Sequence, residues 1–224
     1  IFEQSGREAT VIPPCIDFSR FNLDITNQDY VTLINPVVEK GSEIFCSLVS
    51  EMPNTKFLTK AAWLNLKKGG NWDINRLELI AESLGDKLVV PEESSLPNYP
   101  NLISIIDEKD ISWVYNHTKI LLSLSLCEET YGMTNVEAMY HGIPVIASNR
   151  GGIPESTDNA AILIDEPENI HEWKETLTFV LNNKELFNQL RIQSLNRASR
   201  YSLNRTIGQY SSFFQEIVNK HHQV

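Results

Sequence analysis

The sequence predicts an α/β protein built on a doubly wound parallel sheet, and three observations carry that prediction. Short apolar runs such as Ile120-Leu-Leu-Ser-Leu-Ser-Leu126 lack the in-out alternation of a half-exposed strand, as expected where helices cover both faces of a sheet. These runs alternate along the chain with segments of helical period, the pattern that implies right-handed crossovers. Breakers fall between them, as at Gly142-Ile-Pro144, where glycine suits a left-handed helix cap and proline prevents continuation.

Taken in order, strands are expected at 30–35, 56–59, 102–106, 119–125, 144–148 and 161–164. Several of them are short continuous apolar runs. Helices are expected at 41–51, 74–84, 111–116, 133–141, 170–181, 185–200 and 203–220, each from an apolar stripe. The first of these stripes is Ile44, Phe45, Leu48 and Val49, and the last is Ile207, Tyr210, Phe213, Phe214 and Ile217. Between them, Gly69-Gly70 reads as a turn, since it lacks the context of a phosphate loop, and Trp63 reads as core. In an open sheet of this kind ligands bind at the carboxyl ends of the strands, and both Glu129 and Glu137 are expected at that edge.

With 224 residues, of which 42% are hydrophobic and 21% charged, the chain is long enough to bury a sizeable core. No apolar stretch approaches the roughly 18 residues needed to span a bilayer, and no charged-then-apolar leader opens the chain. The formal net charge of −10 argues against general nucleic-acid binding, which needs a basic surface. Cys15, Cys46 and Cys127 are widely spaced, which indicates neither a disulfide framework nor a zinc site, and a reducing, cytoplasmic setting is expected. None of the five histidines has a metal-ligand partner at suitable spacing; His141 is expected to close a helix where a cation complements the dipole.

The segment with most chemical content runs from Ser125 to Glu155. Glu129 lies on the loop after the expected strand 119–125, and Glu137 is expected about two turns into the following helix. Between them Gly132 opens that helix, whose free amides and partial positive charge favour a phosphate group. Without a Cβ, Gly132 lets the backbone approach a diphosphate closely. Two carboxylates flanking such a terminus can accept hydrogen bonds from sugar hydroxyls. Lys40, at the start of the expected helix 41–51, is badly placed for the helix dipole, which favours a ligand-binding role for it.

The stretch from Ser125 to Glu155, with Glu137-Ala-Met139, Gly142-Ile-Pro-Val-Ile-Ala-Ser148 and Gly151-Gly-Ile-Pro-Glu155, resembles the signature of the C-terminal domain of retaining GT-B glycosyltransferases, family 4 in particular. Tyr30-Val-Thr-Leu-Ile-Asn35 followed by Pro-Val-Val-Glu-Lys40-Gly41 is similar to the family's first C-domain strand and basic phosphate loop. That loop usually carries an arginine and a lysine; here Asn35 stands in the place of the arginine, so one positive charge is missing while an amide donor remains. The segment from Ala9 to Phe21 resembles the connector between the two GT-B domains.

The resemblance implies a Rossmann-like, C-terminal half of a GT-B fold, with a connector and remnant of the N-terminal half at 1–27, a nucleotide-sugar-binding domain at 28–202 and a crossover helix at 203–224. The opening isoleucine suits a fragment of a longer enzyme. The implied activity is hexosyl transfer from a nucleotide diphosphate sugar, UDP-sugar above all, to a saccharide or glycoconjugate acceptor bound mainly by the N-terminal domain. Glu129 and Lys40 are the implied catalytic residues, with Lys40 and the amides of Gly132, Met133 and Thr134 on the departing diphosphate and Glu129 on the donor sugar. Glu137 is implied for the ribose hydroxyls; Asn35, Gly41, Ile105, Ile106 and Tyr131 complete the implied substrate-binding set. No metal or other cofactor is expected, and docking on a membrane would depend on the other half. Two rivals share the same sheet: a GT-B-like nucleotide-sugar epimerase, and a non-catalytic nucleotide-sugar-binding module.

Overall fold

The computed structural model describes residues 10–24, 27–60, 99–105 and 111–221. Six strands form one sheet: β1 (Tyr30–Ile34), β2 (Phe57–Lys60), β3 (Leu102–Ile105), β4 (Thr118–Ser123), β5 (Val145–Ser148) and β6 (Ala161–Ile164), in the order β3-β2-β1-β4-β5-β6. Every pairing is parallel, from Val31 opposite Phe57 on one side of β1 to Val31 opposite Ile120 on the other. The direction of winding therefore reverses between β1 and β4, and a crevice opens at the carboxyl ends of those two strands.

Helices interleave with the strands: α1 (Ser42–Glu51), α2 (Ile111–His117), α3 (Met133–Tyr140), α4 (Ile153–Thr157), α5 (Ile170–Asn182), α6 (Lys184–Ala198) and α7 (Leu203–His221). Their packing explains the unbroken apolar runs. On β4, Ile120 and Leu122 join Val31, Leu33, Phe45, Leu48, Trp173 and Leu177 in one buried cluster, while Leu121 faces the other way among Val136, Met139, Val145 and Ala147. Strands β1, β4, β5 and β6 thus serve two cores, one per face, while β2 and the edge strand β3 join only the first. Asn169 and Asn183 begin α5 and α6 by accepting from the amides of Glu172 and Leu186, at 3.4 and 3.0 Å. The buried Trp173 meets its polar requirement by donating Nε1–H to the Pro167 carbonyl at 2.9 Å.

Local corrections to the sequence expectations follow from the same packing. The strand expected at 119–125 ends at Ser123 in the ladder, and residues 124–126 continue as the floor of a loop. The helix expected at 185–200 ends at Ala198 and tightens into a 3-10 turn, Ser199–Tyr201, whose Tyr201 is buried. Helix α4, opened by Pro154 in its first turn, was not anticipated. Glu137 is the fifth residue of α3, about one turn in rather than two. His141 is a buried packing residue, its ring against Phe21, Tyr115 and Tyr140, and not a solvated cation at the helix end. The helix expected at 74–84, Trp63, the Gly69-Gly70 turn and Ile106 lie outside the described residues.

The described N-terminal segment, the one that resembles a connector in sequence, packs on the sheet-and-helix core through Ile16, whose amide donates to the Tyr201 carbonyl at 2.9 Å and which bridges to Ser202. On α7 Thr206 is buried, but Ile207, Tyr210, Phe214, Ile217 and Val218 are exposed, so the described residues leave most of its apolar stripe uncovered. Among the described residues no helix is long and apolar enough to cross a membrane.

Candidate functional site

At the switch point between β1 and β4 lies a cavity of about 290 Å³. Its walls include Ile34 and Asn35 at the end of β1, Lys40, residues 121–125, Glu129, Thr130, Gly132, Met133 and Thr134. The sequence-predicted residues Asn35, Lys40, Glu129, Gly132, Met133 and Thr134 are therefore brought to one place from two separate connections, the one after β1 and the one after β4 with the helix start that follows it. The chain arrives there through a turn after β1: Asn35 adopts a left-handed φ of 59° and its amide donates to the Lys60 carbonyl at 2.7 Å, on the neighbouring strand. A 3-10 turn, Val38–Lys40, follows and leads through Gly41 into α1. At Gly41 a Cβ would lie 2.6 Å from Leu124 Cβ and closer still to the Leu124 carbonyl, so its role is to let this loop press against the end of β4. The Leu126 amide donates to the Glu39 carbonyl at 2.9 Å and fixes the two loops together.

The loop carrying Glu129 is held from the other side. Gly152 donates its amide to the Glu129 carbonyl at 2.7 Å. Gly151, with φ 54°, passes so close that a Cβ would sit 2.5 Å from the Glu129 nitrogen. The Gly151-Gly152 pair of the sequence signature is thus a backbone-to-backbone contact that sets the position of Glu129. The Glu129 carboxylate then accepts from Lys40 Nζ and from Ser125 Oγ, the latter at 2.5 Å, and both bonds reach Oε1. Burial weakens the hold of Lys40 on its proton, and the neighbouring Cys127 works against that shift; the carboxylate in contact favours the charged form as well. Helix α3 begins at Gly132, in left-handed conformation at φ 71°, and Met133 and Thr134 put its first turn on the cavity wall. The free amides of that turn form a positive end, so an ammonium and a helix N-terminus face one space in an acidic protein.

Glu137 is built differently. Its Oε1 accepts from Arg20 Nη2 at 2.7 Å and its Oε2 from the Tyr115 hydroxyl, also at 2.7 Å. Burial is the main reason the Tyr115 phenol is held well above its ordinary value, with the Glu137 charge adding to it and Arg20 opposing. Neither Arg20 nor Tyr115 was singled out from the sequence. Arg20 lay in the connector-like segment, where a lone arginine has no periodic signal, and Tyr115 was one aromatic in a short helix. Ser125 was within the signature but unremarkable as a serine.

The remaining sequence-predicted residues are placed as follows. Tyr131 packs edge-on against Tyr201 with ring centroids 5.9 Å apart, and donates to its hydroxyl at 3.1 Å. Burial first, and that bond second, hold the Tyr131 phenol well above its ordinary value. Ile105 ends the edge strand β3, two strands from β1, and is not among the cavity-lining residues. Asn135, in the first turn of α3, is fully buried; its backbone N–H donates to the Gly132 carbonyl at 2.9 Å, whereas among the described residues its side-chain Nδ2 and Oδ1 have no hydrogen-bond partner. Among the described residues no group of three or more His, Cys, Asp or Glu side chains is placed to hold a metal ion.

Comparison with known proteins bears on the fold that carries this site. Residues 94–197 match the family described as glycosyl transferases group 1. The chain is 25% identical over 188 residues to the human alpha-1,3/1,6-mannosyltransferase ALG2, a match covering 76% of this chain and 45% of that protein. Among solved structures, Anabaena HepE, in complex with UDP and glucose, superposes with a TM-score of 0.71 at 17% identity, over 96% of this chain and 59% of that one. The C-terminal domain of a glycosyl transferase group 1 family protein from Francisella tularensis superposes with a TM-score of 0.54 at 19% identity, over 79% of this chain and 88% of that domain. The chain thus spans about half the length of the human and Anabaena proteins. Its parallel sheet and these superpositions together show that the chain has the α/β, Rossmann-like fold of a GT-B glycosyltransferase half, within which residues 94–197 match the glycosyl transferases group 1 family.

Proposed function

We propose that this domain binds the donor of a retaining hexosyltransferase resembling GT family 4, which moves a hexose from a nucleotide diphosphate sugar to a saccharide or glycoconjugate acceptor. The observation that carries the proposal is the meeting of Lys40, Glu129 and the N-terminus of α3 around one cavity at the strand-order switch. Transfer breaks the bond between the sugar's anomeric carbon and the diphosphate oxygen, so negative charge grows on the diphosphate. Lys40 and the amides of Gly132, Met133 and Thr134 are the groups that would stabilise that charge, a contribution that preorganised donors make without reorganising. Glu129, with one oxygen engaged by Lys40 and Ser125, would receive sugar hydroxyls on the other. Glu137 would receive the ribose hydroxyls, and Asn35, beside the cavity, supplies an amide donor where an arginine is usual. Gly41 and Tyr131 would serve by shaping the two loops, and Ile105 with Ile106 by backbone contact to the base.

UDP is the proposed nucleotide, supported by the fold shared with Anabaena HepE, which was solved with UDP. The acceptor would be bound mainly by an N-terminal GT-B half, and a cytoplasmic setting, peripheral to the membrane for the whole enzyme, is part of the proposal. Calorimetric titration with UDP, GDP and ADP tests it, with UDP repeated on Lys40→Ala. UDP binding that weakens about tenfold or more on loss of the charge-assisted contact supports the site. Equal UDP affinity in the substituted chain would remove Lys40 from it.

A further inference from the structure

We propose that Arg20 and Tyr115 are positioning residues that hold the Glu137 carboxylate as a fixed acceptor for the ribose hydroxyls of the donor, and so set a preference for ribose over deoxyribose. The inference rests on the assignment of Glu137 to ribose made above.

Geometry carries it. Each oxygen of Glu137 has one donor, Arg20 on Oε1 and Tyr115 on Oε2, both at 2.7 Å and from different elements. A carboxylate offers about four acceptor directions, so one remains on each oxygen. That is the number a vicinal diol requires. Tyr115 is fully buried and its ring cannot turn away, being packed against Phe21 and His141.

Arg20 is brought to Glu137 by a segment that is pinned on both sides. Asp17 caps the 3-10 turn Phe18–Arg20 by accepting from the Ser19 amide at 3.0 Å. Phe18 stacks on Tyr140 of α3, with ring centroids 4.0 Å apart and planes within 6°. Beyond the arginine, Asn116 donates to the Asn22 carbonyl at 2.7 Å. The guanidinium lies 4.8 Å from the centre of the Phe21 ring, which narrows the choice of rotamers. Arg20 is 58% exposed and Glu137 15%, and ion pairs with so exposed a partner add little to folding. What the pairing does accomplish is to fix the direction of a sheltered carboxylate, which stands on α3 behind the first turn that lines the cavity and is not itself one of the lining residues.

The test is calorimetry of the 224-residue chain with UDP, 2′-deoxy-UDP and 3′-deoxy-UDP, on the unmodified protein and on Arg20→Ala, Arg20→Lys and Tyr115→Phe. The unmodified chain should prefer UDP to at least one deoxy form by about tenfold, the worth of a hydrogen bond to a charged group. Arg20→Ala should lower UDP affinity by about tenfold while moving the deoxy form by no more than about twofold, so that the preference disappears. Arg20→Lys should restore part of it, because the charge returns without the planar fork. Tyr115→Phe should also reduce it, and together with Arg20→Lys it decides the matter if Arg20→Ala does not fold.

Equal loss for UDP and the deoxy form would show a bracing role and overturn the inference. So would unchanged binding of both. If the unmodified chain binds UDP in a Lys40-dependent way without any ribose preference, the assignment of Glu137 falls and this inference with it, while the diphosphate site stands. If UDP does not bind at all, both fall.

Discussion

Glu129 and Glu137 are served by the same kinds of partner, one cation and one hydroxyl each, yet the two regions are constructed differently. Lys40 and Ser125 converge on a single oxygen of Glu129, whereas Arg20 and Tyr115 divide the two oxygens of Glu137 between them. The first arrangement leaves a carboxylate with one oxygen outside those bonds, on a loop lining a cavity. The second fixes a carboxylate by both ends, on a helix. The source of rigidity also differs: Glu129 is held by backbone pressed on backbone at Gly151, and Glu137 by aromatic side chains packed around α3.

The largest expected break in that comparison comes from the backbone. Gly151→Ala would add both a Cβ at φ 54° and a clash with the Glu129 main chain. A loss of about 3 kcal/mol or more in urea unfolding is expected, because backbone cannot yield as a side-chain tip can. Gly142, which ends α3 beyond Glu137, has a similar φ of 65°, but a Cβ there would meet only the Leu195 side chain, at 3.5 Å. Gly142→Ala should therefore cost only the conformational strain, about 1–2 kcal/mol in the same measurement. Equal losses at the two sites would show that the Glu129 loop can move to make room.

A smaller difference should appear in the charge pairs. Double-substitution cycles of Lys40→Met with Glu129→Gln, and of Arg20→Met with Glu137→Gln, measure each pairing. Lys40 is 28% exposed against 58% for Arg20, so solvent screens the second pair more. Coupling should be about 1 kcal/mol at Lys40–Glu129 and about half that or less at Arg20–Glu137. A reversed order would mean that the bidentate hold on Glu137 outweighs its exposure.

The smallest effect belongs to a reference pair far from both glutamates. Lys56 donates to Asp29 at 2.9 Å, both side chains being well exposed. That bond holds the Asp29 carboxyl below its ordinary value. Its contribution is therefore present above the unfolded aspartate pKa of about 3.9 and is lost as pH falls through the lowered folded value. Lys56→Met should slightly reduce acid sensitivity of the melting temperature below about pH 4 and change nothing near neutrality that exceeds ordinary surface effects. A large change at neutral pH would show that this exposed pair matters as much as the two sheltered ones.

Much of this molecule was legible in order along the chain. The six strands were visible because each is a brief apolar run between breakers, and the all-parallel sheet followed because those runs never alternate. Lys40, Glu129, Gly132, Met133 and Thr134 were legible as a group because a strand, a loop and a helix start place them at one sheet edge. Helix α4 escaped notice because five residues carry too little period to read, and Ser125 because a serine has no spacing signal of its own.

Local sequence, then, determined the elements, the α/β class and the loops that bear the candidate residues, since periodicity and turn chemistry act over a few residues at a time. Only the tertiary structure decided which side chains serve those residues. Arg20 meets Glu137 across 117 positions and Lys40 meets Glu129 across 89, and no local pattern encodes such separations. They arise because the strand order reverses between β1 and β4, bringing the ends of distant crossovers together, and because the segment around Phe18 finds its apolar surface on a helix far along the chain.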